Sequence, residues 1–290
     1  MHLTLRQRNA LNGYMFIILW LVGMVIFFLY PLIQNISLSL TDASLNTIRE
    51  DTYKYIGLGN YIEAFTVDIE FVPYLIDTFT NLIIDVPFIL AFSLAVALLA
   101  TQKLPGSVLF RAVFFLPVVI GSSIVIGRMF DQFGSQLVLF RGESAQEFLY
   151  VYLGNQMPRF LSFLSRSVFV LWRSGVQVLI FLAGLRSIDP LLYEVAQVDG
   201  ASPWNQFWKI TLPMLSPVIL INIVYTIIDS FTDYFNMVLR YIRVVGFQSS
   251  SMRMGYPSAL GNIYFILIFI LVIIIFVVVS KVTFYRGERG

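Results

Sequence analysis

The chain has 290 residues, a net charge of +2, 58% hydrophobic and 12% charged residues, and a mean hydropathy of +0.80. A soluble domain carries about twice that charge fraction, so the composition excludes an ordinary water-soluble fold and points to one polytopic membrane domain over 1–290. Cys is absent and His2 is the only histidine, which removes disulfides, thiolate metal sites and a Cys nucleophile and leaves one imidazole in a solvated tail.

A spanning helix needs roughly 20 mostly apolar residues. No charge occurs between Arg8 and Asp42, which predicts a first span near 12–34. It is too long for a signal peptide and lacks a small-residue cleavage site, so it is expected to be retained. A second span is predicted at 75–101, with Asp77 and Asp85 in its outer half, and a third at 108–129. The segment 130–162 mixes Phe148, Leu149, Tyr150, Tyr152 and Leu153 with polar residues and reads as an amphipathic piece in the interface plane. A fourth span at 163–185 carries Arg166 and Arg173. A fifth follows Pro213 to about Asn236, and a sixth covers 257–280 inside a charge-free stretch from Met254. No internal repeat is visible, nor the paired interrupted helices of many secondary transporters. No GxxxxGK[ST] loop occurs, so any ATP used must be bound by another chain.

Short cationic segments stay cytoplasmic. Arg6 and Arg8, then Lys103 and Arg111 around Leu104-Pro105-Gly106, then Arg186 and Lys209, then Lys281, Arg286 and Arg289 all fall on one face if both termini are cytoplasmic. The opposite face receives the acidic segment 35–74, then 130–162 and 238–256. Arg240, Arg243 and Arg253 run against this assignment.

Between the fourth and fifth spans lies a polar island, 186–212. Glu194, Val195 and Ala196 form a helical turn. Asp199-Gly200 ends it, because Gly accepts the left-handed conformation that closes a helix. Ser202 can cap the next helix, and Pro203 suits a first helical position. Trp204, Phe207 and Trp208 look like interface anchors for that helix. Such an island offers a knob to something outside the bilayer; the plainer alternative is an ordinary surface loop.

The island resembles the "EAA" loop of permease subunits in binding-protein-dependent ABC importers. That pattern is Glu-Ala-Ala, three residues, Gly, nine residues, Ile, one residue, Leu-Pro. Glu194, Ala196, Gly200, Ile210, Leu212 and Pro213 stand at the matching positions, and Val195 replaces one Ala. Phe181-Leu-Ala-Gly-Leu185, Leu192-Tyr193 and Asp199-Gly-Ala-Ser202 look like the carbohydrate, maltose-permease branch. The specific match covers roughly residues 171–217. The resemblance implies an all-α integral membrane protein with six spanning helices and a cytoplasmic coupling helix, in a bacterial or archaeal cytoplasmic membrane. It implies that Glu194, Ala196, Asp199, Gly200, Ala201 and Ser202 dock into a cytoplasmic ATPase. It also implies the partners: a second similar permease chain, two ATPase chains that bind the ATP and Mg, and an extracytoplasmic sugar-binding protein. This chain would then hold no cofactor or metal, touch lipid but no nucleic acid, and catalyse no reaction. ATP binding would close the ATPases and switch the spans from inward- to outward-facing, and hydrolysis would reset them.

In the fifth span, Asp229 and Asp233 are four apart and would share a helix face, with Ser230 between them and Tyr225 and Asn222 extending it. Charge in a span is costly and normally faces a cavity or a partner, and carboxylates accept well from vicinal hydroxyls. This stripe can therefore line a sugar path; otherwise it is wet at the membrane edge or pairs with arginine. Arg166, Arg173 and Gln177 share a face of the fourth span. Arg173 needs a partner, either Asp229, Asp233 or Asp85 in a buried pair, or the substrate. Among 27 Phe and 15 Tyr, one or two can stack on sugar rings. The expected function is a permease subunit of an ATP-driven importer for a sugar or oligosaccharide. The rivals are a permease for another solute, such as a phosphodiester or polyamine, and a secondary transporter or channel using Asp229, Asp233 and Arg173.

Overall fold

In the computed structural model, residues 5–50, 52–102, 151, 154–156, 174–233, 236–248, 252–281 and 283 are described. Their elements are helical, and β-structure is limited to two isolated bridges. The first run is α1 (Leu5–Met24), a wide π-turn (Val25–Leu29) and α2 (Tyr30–Ser39). Pro31 follows the wide turn. Its ring lacks an N–H and presses on the carbonyl four residues back, and the Tyr30 N–H bonds one residue further back, to Val25 O. The same device recurs before Pro213. There the turn Phe207–Thr211 widens and the Leu212 N–H reaches Phe207 O.

The chain divides into two compact units, 1–75 with 237–267 and 76–236 with 268–290. The first holds α2, α3 (Leu45–Arg49), α4 (Gly59–Thr66), α10 (Met237–Arg243) and the start of α11 (Gly255–Ser280). The first helix run continues past the predicted residue 34 to Ser39. The buried Asn60 amide donates to Ser39 O and Thr41 O, each at 2.8 Å, so the carbonyls that end it are received inside the protein. Gly255 packs so closely that an added Cβ would stand 2.1 Å from Thr41 O. A polar chain links the helices: Asn35 Nδ2 to Asn262 Oδ1 at 2.7 Å, Asn262 Nδ2 to the Tyr61 hydroxyl at 3.2 Å, and Tyr61 to Ser39 Oγ at 2.7 Å.

The second unit holds α6 (Gly175–Arg186), α7 (Pro190–Val198), α8 (Pro203–Gln206), the turn Phe207–Thr211 and α9 (Leu212–Thr232), with most of α5 (Phe71–Thr101). Its core packs Val96, Ala97 and Ala100 of α5 on Val178, Phe181 and Leu182 of α6. Gly184 brings α6 against α9: a Cβ there would meet both Val218 methyls at 2.8 Å and Leu215 at 3.0 Å. Small residues permit this approach where lipid supplies no hydrophobic drive between helices.

Among the described residues, four helical runs are long and apolar enough to cross a membrane: Gly13–Ser39, Phe71–Thr101, Pro203–Gln248 and Gly255–Ser280. A fifth arises if α6 and α7, bent by 62°, count as one. The predicted span 108–129 lies outside the described residues, as do Arg166, Arg173 and most of 130–162. A second boundary also differs from expectation. The fifth span is predicted to run to Asn236, but α9 stops at Thr232 and Asp233 is extended (φ −64, ψ 142).

Candidate functional site

The island is built by local chemistry on both sides of one glycine. The Asp189 carboxylate accepts from Leu191 N at 3.0 Å and Pro190 takes the first helical position, so α7 begins cleanly after the bend. Gly200, at φ +76, ends it. The Ala201 N–H reaches Ala196 O at 2.8 Å and the Gly200 N–H reaches Gln197 O at 3.0 Å, the paired bonds of a Schellman motif. Ser202 Oγ then accepts from Asn205 N at 3.3 Å, with Pro203 at the first position of α8. Gln206 Nε2 donates back to Ala201 O at 3.0 Å. The predicted sequence of helix, glycine break and capped restart is thus present in detail.

Glu194, Asp199, Gly200 and Ser202 are exposed, whereas Ala196 and Ala201 are half-buried. Leu191, Val195 and Val198 form an exposed apolar stripe on α7, and Val198 is 88% exposed. The base of the island is tied down: the Tyr193 hydroxyl meets Thr211 Oγ1 at 2.9 Å. An exposed apolar stripe beside two carboxylates, on a half-helix anchored at its root, is a surface suited to docking a protein partner.

The second set of predicted residues falls into two tiers. Asn222 is fully buried, and its Nδ2 donates to Gln177 O of α6 at 3.0 Å. Gln177 is fully buried too. Both of its amide atoms, Asn222 Oδ1 and Ser230 Oγ lack hydrogen-bond partners among the described residues. Ser93, Ser174 and Thr226 are also fully buried, so this is a polar layer inside the second unit. Nearer the end of α9, Asp229, Ser230 and Tyr225 are half-buried and Asp233 is buried. Asp229 lies in the last turn of α9, and Asp233, four residues on, is the C-cap at which the chain turns out of the helix (φ −64, ψ 142). Thr232 Oγ1 bonds back to Ile228 O at 2.9 Å, Asn236 N donates to Asp233 O at 3.1 Å, and Asn236 Nδ2 reaches Ser230 O at 3.4 Å. Thr232 Oγ1 also reaches Asp229 O at 3.4 Å, so Asp229 O and Ser230 O, two of the four carbonyls that the helix end leaves open, are met by side chains. Asn222, two helical turns before Asp229, sits deeper, in the contact with α6. Arg173 lies outside the described residues, so the stripe's cationic side is not part of this geometry.

The first unit carries a cluster that sequence reading missed. Tyr241 donates to Asp68 Oδ2 at 2.7 Å, and Tyr256 donates to the same oxygen. Asp68 Oδ1 accepts from the backbone N–H groups of Glu70 and Phe71, each at 2.9 Å. Partial burial pushes this carboxyl upward, but the two hydroxyl and two backbone donors outweigh it and hold Asp68 below its ordinary 3.8. Beside it, Arg253 forms a fork with Glu63, at 2.5 and 2.7 Å, and lies 4.7 Å over the Tyr256 ring. Arg253 and Tyr256 with Glu63 and Asp68 line a cleft of about 470 Å³. The partners are more than 170 residues apart in sequence, and no local pattern joins them.

Residues 70–285 match the family described as "Binding-protein-dependent transport system inner membrane component". The chain is 30% identical to "Probable ABC transporter permease protein YesP" of Bacillus subtilis (strain 168), over 98% of this chain and 95% of that protein. It is 30% identical to "Lactose transport system permease protein LacF" of Rhizobium radiobacter, over 78% of this chain and 75% of that one. In fold it is similar to a chain of a bacterial ABC transporter involved in the import of the acidic polysaccharide alginate, with a TM-score of 0.65, 20% identity, and 96% and 98% of the two chains covered.

Proposed function

Because the chain belongs to the family of binding-protein-dependent transport system inner membrane components, we propose that it is the permease subunit of an ABC importer for a sugar or oligosaccharide. A chain of this family is a multi-pass membrane transport component rather than an enzyme. The lactose permease among its relatives favours a carbohydrate cargo, and family membership disfavours a secondary transporter built on Asp229, Asp233 and Arg173.

The single observation that carries the mechanism is the island. It is an exposed half-helix ended by a left-handed glycine and tied at its root to the start of the next span. Glu194, Ala196, Asp199, Gly200, Ala201 and Ser202 form the coupling element that a cytoplasmic ATPase grips. ATP and Mg are held by two such ATPase chains, and a second permease chain completes the path. An extracytoplasmic sugar-binding protein delivers the cargo. When the ATPases close, α7 moves with them. The Tyr193–Thr211 bond carries that motion to α9, and the tight Gly184 contact and the Asn222–Gln177 bond make α6 follow. The single domain 1–290 crosses the membrane six times, with both termini and 186–212 in the cytoplasm. The Glu63–Arg253 pair supports this orientation, since it neutralises one of the cations that run against it.

Cargo passes Asp229, Ser230 and Asp233, with Tyr225, Asn222 and Arg173 along the same route. Unpartnered buried polar atoms at Ser230, Gln177 and Asn222 support that route, because such atoms are costly unless something meets them. The test is reconstitution in proteoliposomes with the cognate ATPase and binding protein. Uptake of labelled oligosaccharide should require ATP and all components. Uptake by this chain alone would overturn the assignment.

A further inference from the structure

The island has two exposed faces of different chemistry. On α7 the exposed apolar residues are aliphatic and stand beside Glu194 and Asp199. Past Gly200 they are aromatic: Trp204 is 68% and Trp208 49% exposed. They sit four apart on one helical face, with ring centroids 5.6 Å apart edge to face, and Phe207 lies 5.3 Å from Trp208. Lys209 is exposed beside them and is the one charged residue between Gly200 and Ile228.

We infer that the Trp204–Trp208 face is seated in the lipid headgroup layer and anchors the loop as a fulcrum, leaving α7 as the part that a protein partner moves. Three observations argue for lipid as the occupant. The pair rides on a helical run that continues from Pro203 into α9, and Trp208 precedes Leu212 by about 6 Å along the axis, within the headgroup layer. Tryptophan prefers that layer, because its ring is apolar and its N–H needs a polar partner. The lone charge is a lysine, which anionic lipid attracts, whereas the carboxylates are confined to the other half of the island. Gly200 at φ +76 stands between the halves. The choice of the cytoplasmic leaflet rests on the orientation proposed above; the lipid contact does not.

The test uses the full chain in nanodiscs, with Trp20→Phe and Trp172→Phe so that Trp204 and Trp208 report alone. Bromine placed near the carboxyl end of the acyl chains should remove about half or more of the emission, and bromine near the methyl end much less. If that background aggregates, the same quenching is read as the difference between the unsubstituted chain and Trp204→Phe/Trp208→Phe. Emission untouched by brominated lipid but quenched by aqueous acrylamide would overturn the inference. So would lipid quenching that vanishes when the ATPase binds, since the ATPase would then be the occupant. Failure of ATP-dependent uptake with lipid quenching intact would sink the importer reading and leave this one standing.

Discussion

The Tyr193 hydroxyl and Thr211 Oγ1 meet at 2.9 Å, binding α7 to the wide turn that starts α9. A hydrogen bond of this kind contributes about 1 kcal/mol, too little to decide folding but enough to alter how motion is passed on. Tyr193→Phe and Thr211→Val should each lower the sugar imported per ATP hydrolysed while leaving assembly intact. The double variant should be no worse than either single one, which a double-mutant cycle reads directly. Additive losses would show that the two residues act separately.

Gly200 has open space where a Cβ would go, so only its φ of +76 restricts substitution. Gly200→Val should abolish transport while the protein still reaches the membrane, because a β-branched residue at φ > 0 is strained by about 1–3 kcal/mol. Gly200→Asn should retain most uptake, since Asn tolerates the left-handed region. Equal loss in both variants would mean that a side chain there blocks docking and that backbone shape is not the issue.

Asp229→Ala and Asp233→Ala should lower sugar uptake on the order of tenfold, from loss of an acceptor that substrate hydroxyls use, without lowering basal ATPase activity or complex recovery. If the variants instead fail to assemble, and exchanging either Asp with Arg173 restores them, the residues form a structural ion pair and the cargo site lies elsewhere.

The Asp68 clasp should make the first unit sensitive to acid. Its folded pKa lies below the ordinary 3.8, so the clasp is complete above that value and is lost as pH falls through the lower, folded one. Amide exchange across 66–71 should therefore rise as pH drops below about 4, after correction for intrinsic rates. Asp68→Asn should exchange faster at neutral pH and lose that acid step. A clasp that loosens on raising the pH would contradict the assignment.

The island is legible in the sequence because its physics is local. Asp189, Pro190, Gly200, Ser202 and Pro203 each specify the backbone of their immediate neighbours, and α7 and α8 begin and end where those residues dictate. Spans are legible from apolar length, but their ends are not. The first helix run reaches Ser39 because Asn60, distant in sequence, caps it. α9 stops at Thr232, where Thr232 Oγ1 reaches Asp229 O and Asn236 Nδ2 reaches Ser230 O, two of its last four carbonyls. Neither apolar run nor helical periodicity signals such tertiary acceptors and donors. The same holds for Asp68 with Tyr241 and Tyr256, and for Glu63 with Arg253, which counted as a bare cation breaches the charge rule.

The central claim is that 186–212 is a cytoplasmic coupling element. The chain has no native cysteine, so Ser202→Cys, on the exposed turn of the island, gives a single reporter. A membrane-impermeant thiol reagent applied to intact cells should leave it unlabelled. It should react fully once the membrane is opened, and binding of the ATPase should then protect it. Labelling of Ser202→Cys from outside intact cells would contradict the account.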